Sequence, residues 1–190
     1  MKKTRVAISL LLVAIIVAVL YYYSLGGNIY RRATQHALDT FSEAVAIKQT
    51  AKLGSAFKYY LANNAKIHLE VGFVSLQNPQ GNTSEAQDFD KPTFYMFIDN
   101  ILYSLQDYHV DFHLQNFKLD AEKKSASLTF TSKAWGDSEL SYGDVHTNTH
   151  FTADSTCEGY VLFDENTNPT FDTLNCKVRL TSLPKLAGSR

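Results

Sequence analysis

The stretch Thr93–Leu119, TFYMFIDNILYSLQDYHVDFHLQNFKL, decides the fold because its hydrophobic period changes once, from helical to alternating, with almost no linker. In its first part Phe94, Phe97, Ile98, Ile101, Leu102, Leu105 and Tyr108 recur at three- and four-residue steps, which lays one apolar stripe along a helix over Thr93–Tyr108. No other segment has so wide an apolar face, so this is the predicted central core helix. From His109 to Leu119 the pattern becomes that of a strand, with Val110, Phe112 and Leu114 inward before the phase moves to Phe117 and Leu119. A β-bulge near Gln115 or Asn116 accounts for the shift.

Downstream, Asp120 to Lys124 reads as a charged hairpin turn, after which Ala126, Leu128, Phe130 and Ala134 alternate with Ser127, Thr129, Thr131 and Lys133. Trp135 and Gly136 open a polar connection. Two last strands, about Thr147 to Phe163 and Phe171 to Leu183, flank the turn Asp164 to Pro169. Upstream, Ala33, Ala37, Leu38, Phe41, Ala44 and Val45 predict a helix over Asn28 to about Thr50, and Phe57, Tyr59, Tyr60 and Leu61 a second, short one ending at Asn63 and Asn64. Lys66 to Leu76 alternates as a half-buried strand. Gln77 to Lys91, QNPQGNTSEAQDFDK, is polar with turn residues throughout and reads as one long loop.

The two cysteines fit the last hairpin, since the midpoint between Cys157 and Cys176 falls at Asn166 and Thr167, inside the predicted turn. That register places the thiols opposite each other and brings Asp154 beside Arg179 and Thr156 beside Lys177 on the outer face. A cross-strand disulfide follows if the domain folds in an oxidising compartment.

The beginning of the chain points to such a compartment. Val6–Tyr23, VAISLLLVAIIVAVLYYY, is free of charge, follows Lys2, Lys3 and Arg5, and ends in three tyrosines. As a helix rising about 1.5 Å per residue it reaches about 27 Å, near the thickness of a bilayer's hydrocarbon core. Tyr21, Tyr22 and Tyr23 stand where a signal peptidase expects small residues, so an uncleaved anchor is preferred to a removed signal. The expected organisation is a short cytoplasmic tail over residues 1–5, a transmembrane anchor or uncleaved signal over 6–23, and an extracytoplasmic domain over 24–190. In a bacterium this is a single-pass inner-membrane protein, N-in, with the domain in the periplasm or outside the cell. Past the anchor the chain carries 15 basic and 19 acidic side chains. Arg31 with Arg32 and Lys123 with Lys124 are its only basic runs, and Arg31 and Arg32 are expected near lipid headgroups. No nucleic-acid partner is expected from so little clustered positive charge.

The order helix, helix, strand, central helix, then four antiparallel strands resembles the cone of the nuclear transport factor 2-like (NTF2-like, SnoaL-like) superfamily over Asn28 to about Leu183. The resemblance implies an α+β fold in which three helices pack on a strongly curved, mostly antiparallel sheet, often around an apolar pocket, with frequent dimerisation through the sheet face. The same fold serves ketosteroid isomerases, polyketide cyclases, scaffolding domains and the single-span periplasmic assembly proteins of type IV secretion systems, the VirB8 family. This chain is similar to the last group in having an anchor before the domain and departs from it in the shortness of the segment before the anchor.

The chemistry visible in the sequence is sparse. His109, Asp111 and His113 share one face of a strand, and His146, Asn148 and His150 repeat the spacing. Were the two strands neighbours, the imidazoles and the carboxylate would suit zinc or copper. The preferred reading is a polar outer surface with no metal and no cofactor. His68 with Glu70 is a second outward pair, while Tyr59, Tyr60, Tyr95 and Tyr103 are candidates for a pocket mouth or for the core. No nucleophile elbow, phosphate loop, paired CxxC or HExxH is present. The expected function is that of a membrane-anchored binding or assembly module with a homodimer or protein partner on its sheet face. The alternative is a small-molecule enzyme of isomerase or cyclase type.

Overall fold

Over residues 26–184 the described elements run in the order α1 (Gly26–Ala46), α2 (Thr50–Tyr60), β1 (Leu61–Ser75), β2 (Thr83–Phe89), α3 (Lys91–Ser104), β3 (Leu105–Leu119), β4 (Ser125–Tyr142), β5 (Val145–Phe163) and β6 (Pro169–Pro184). The computed structural model describes residue 15 and residues 26–46, 50–75, 83–122, 124–142 and 145–184. Apart from Ile15, the anchor read over 6–23 lies outside the described residues, as does the tail before it. Among the described residues no helix is long and apolar enough to cross a membrane. The strands form one curved sheet in the order β2-β1-β6-β5-β4-β3, with β1 and β6 parallel and every other pair antiparallel.

Several expected boundaries are corrected. The polar stretch read as a loop contains β2, which pairs antiparallel with Ile67–Phe73 of β1. Because β2 is an edge strand with Ser84–Asp88 exposed and only Phe89 turned into the core, it lacks the apolar alternation that marks a buried strand. Asn63 and Asn64 belong to β1 instead of ending α2. The central helix stops at Ser104, and Leu105 to Tyr108 are already strand. Trp135 and Gly136 do not leave the sheet, since β5 pairs with β4 all the way to Tyr142. The expected bulge is present as a register shift between Leu114 and Asn116, and a second shift falls between Gln106 and His109.

α3 starts at a capping box. Asp90 accepts the Thr93 backbone N–H at 2.9 Å while the Thr93 hydroxyl accepts the Asp90 backbone N–H at 3.1 Å, satisfying two donors that a helix start leaves open. The Thr93 hydroxyl also donates to the Asp90 carboxylate at 2.5 Å, and this bond first, then that from the Thr93 backbone N–H, hold the Asp90 carboxyl below its ordinary value. Lys91 fastens the same turn to β1 by donating to the Leu61 carbonyl at 2.6 Å. Burial lowers its pKa.

β3 forms the opposite edge of the sheet, and α1 covers it with side chains in place of a seventh strand. Ser42 donates to the Val110 carbonyl. Gln35 donates to the Phe112 carbonyl and accepts the Leu114 N–H, both at 2.9 Å. Arg31 reaches the Leu114 carbonyl at 3.1 Å, so a side chain expected near headgroups is engaged on the domain itself. Edge groups that would otherwise template another chain are thereby satisfied.

Candidate functional site

Inner-face side chains change exposure steadily along the strands. At one end Leu61, Ile67, Phe130 and Phe171 are buried to 3 % or less, beneath Leu38, Leu53 and Phe57 of the first two helices. Toward the other end the inward residues of β1 and β6, Val71, Val178 and Leu180, are only half-buried, and Phe73 is 40 % exposed. Between helices and sheet lies a cavity of about 710 Å³ whose wall runs from Phe171 at the closed end to Phe73, Ser138, Thr149 and Leu180 at the open end. That volume falls within the roughly 300–1,000 Å³ of sites that enclose small molecules.

The wall is almost wholly apolar. Among the described residues it contains no histidine, aspartate, lysine or arginine, and its one carboxylate, Glu85, stands on the exposed edge strand β2. Its polar groups are mostly hydroxyls. Ser132 and Ser155 face each other across β4 and β5 with their oxygens 2.6 Å apart. Tyr108 lies four residues nearer the open end, where its backbone passes Gly136 and its ring stacks on Phe151 with centroids 5.7 Å apart. Burial pushes the Tyr108 phenol up to about 12, so it remains a protonated donor at neutral pH. Asp107 beside it has φ of 48°, a left-handed conformation uncommon outside glycine, at the second register shift of β3. That kink sets how the chain leaves α3, and with it the inward aim of Tyr108.

Cys157 and Cys176 sit directly opposite each other in the β5–β6 register and are joined with Sγ–Sγ at 2.11 Å, on the cavity side of the sheet. Asp154 pairs in register with Arg179 and Thr156 with Lys177. The outer face is polar and mixed in charge. One row runs Asp111, Lys133, Asp154, Arg179 across β3, β4, β5 and β6. In the next row Lys177 meets Glu70 at 3.6 Å.

The histidines of the two patterned strands are not brought together, because β4 separates β3 from β5. His109 stacks on Trp135 with centroids 5.4 Å apart, while Asp111 and His113 are exposed. His150 pairs instead with Asp137 at 2.9 Å, and His146 stands opposite Ser141 in the β4–β5 register. Among the described residues no group of three His, Cys, Asp or Glu could hold a metal ion. His68 takes Asp88 of β2 as partner at 2.7 Å rather than Glu70. Of the tyrosines, Tyr59 and Tyr103 are 69 % and 94 % exposed, and Tyr60 and Tyr95 pack against Phe41 and Phe57. None of the four lines the cavity; Tyr108, read as part of the helical stripe, does.

No protein-family model matches the chain, and no curated protein matches it in sequence. Its fold is that of the NTF2-like superfamily, as comparison with solved structures shows. The Kfla4162 protein of Kribbella flavida superposes with a TM-score of 0.54 at 7 % identity, over 80 % of this chain and 91 % of that one. A candidate scytalone dehydratase from Novosphingobium aromaticivorans gives 0.53 at 10 % identity, over 87 % and 98 %. An NTF2-like superfamily protein from Salmonella enterica gives 0.50 at 7 % identity, over 86 % and 98 %. At such identities the likeness is one of fold.

Proposed function

We propose that this chain is a membrane-anchored, extracytoplasmic binding module whose NTF2-like cone takes up an apolar small molecule. The observation that carries the reading is the cavity of about 710 Å³ with its single carboxylate at the rim. An enclosed apolar wall favours binding by removing ligand surface from water, at roughly 25 cal/mol per Å² of apolar area. Proton-transfer catalysis needs a positioned acid and base, and among the described residues the wall offers Tyr108 as a donor with no buried carboxylate or histidine beside it. The anchor rests on the uncharged run Val6–Tyr23 behind three basic residues, and the exported location on that run together with the Cys157–Cys176 bridge. A partner on the outer sheet face would meet the charged rows there.

An isomerase or cyclase is the second reading, favoured by Tyr108 in the wall and by the candidate dehydratase among proteins of the same fold. The full chain separates the two when incubated with the neutral dye Nile red. Binding by the wild type and its loss in Ala153→Trp, which fills the wall, supports the module. Absence of dye binding, together with turnover of a cyclic ketone abolished by Tyr108→Phe, supports the enzyme.

A further inference from the structure

The cavity holds a polar pair, Ser132 and Ser155, whose hydrogen bonding within the protein is incomplete. Ser132, 8 % exposed, and Ser155 each carry one hydroxyl proton. One proton is used between them across 2.6 Å. Among the described residues the one further partner is Cys157 Sγ, 4.0 Å from Ser155 Oγ, and a disulfide sulfur is a weak acceptor. Whichever serine donates to the other, the remaining hydroxyl proton has at best that sulfur as its acceptor, on the side of the sheet that faces the cavity. An oxygen acceptor brought there would take it in a much better bond.

Charge restricts which acceptor that is. An ionised carboxylate or phosphate at this depth would meet no cation in the described wall and would carry its full desolvation cost, while at the rim it would meet Glu85. A neutral carbonyl accepts without such a cost. Resting on the apolar-ligand reading above, we propose that the ligand is an uncharged molecule with an apolar chain and one carbonyl oxygen, the oxygen seated on the Ser132–Ser155 pair. The chain then extends toward the open end past Ala153, Phe151 and Tyr108. Lipid-like ketones, esters and amides belong to this class.

Three probes of similar length test this on the full chain in lipid nanodiscs: radiolabelled 2-undecanone, undecane and decanoate, each corrected for uptake by empty discs. The wild type is expected to bind the ketone about five- to tenfold more tightly than the alkane, the worth of one well-made neutral hydrogen bond, and to bind decanoate weakest. In Ser132→Ala/Ser155→Ala the ketone and the alkane become equal, with alkane binding retained. Ser155→Thr keeps the hydroxyl and the preference, so that loss of the preference reports the hydroxyl and not a disturbed strand. Equal binding of ketone and alkane by the wild type, or decanoate binding tightest, overturns the serine proposal and leaves the apolar cavity standing. No probe binding above empty discs overturns both.

Discussion

The two ends of the sheet's inner face are built from the same alternation of side chains and do opposite things. At the closed end Phe171 is 1 % exposed and packs edge-on to Phe130, with centroids 6.5 Å apart, beneath α1 and α2. At the open end Phe73, on the same face of the neighbouring strand, is 40 % exposed. The strands outrun the helices that cover them. An apolar residue is closed off from solvent where α1 and α2 press on it and stays partly exposed where the helices fall short.

Paired substitutions break or sharpen this comparison most directly. Phe171→Ala is expected to cost about 3–5 kcal/mol in urea unfolding, the range for emptying a closed aromatic site, whereas Phe73→Ala costs about 1 kcal/mol or less. Equal losses would mean that the open end is core as well.

The disulfide ties the hairpin between those ends. Replacing both Cys157 and Cys176 with alanine, 19 residues apart, is expected to cost about 3 kcal/mol in the chain-entropy account. Unfolding of the wild type with and without reductant should reproduce the difference, and coincident curves would remove the bridge from the stability of the domain.

Tyr108 reports on the open half through pH. A phenol raised from 10.0 to about 12 by burial contributes stability that is present below pH 10 and lost as pH rises through about 12. That loss amounts to roughly 2–3 kcal/mol and should vanish in Tyr108→Phe. Ultraviolet titration of the folded protein checks it: wild type and variant should ionise alike up to about pH 11, and one further tyrosine should ionise in the wild type alone as pH rises through about 12. The smallest effect concerns the cap of α3. Because Asp90 is held below its ordinary 3.8, its contribution is present above that value and fades as pH falls through the lower folded one. Asp90→Asn keeps a capping side chain and should flatten the acid limb of a Tm-against-pH curve, with little change at neutral pH.

Much of the fold was legible because the signals were local. The Cys157–Cys176 register followed from a symmetric hairpin, and the bulge near Gln115 from a one-residue change of phase in β3. β2 was not legible. Its polar sequence is that of an edge strand, and pairing with β1 alone makes it a strand. Tyr108 was misplaced by its own period, since it continues the helical stripe from Phe94 although the chain has already turned into β3 by way of Asp107. The histidine spacings were real, but β4 lies between the two strands, and strand order cannot be read from spacing within each strand.

What the sequence by itself determined is whatever a window of some twenty residues contains: the helical stripes, the strand alternation, the hairpin that pairs the cysteines, and the uncharged run at the start. The tertiary structure alone decided the strand order, the cover of the β3 edge by Ser42, Gln35 and Arg31, and the cavity. A cavity is a difference between the surface the strands present and the surface the helices cover. That difference depends on where distant segments meet, which no local pattern encodes.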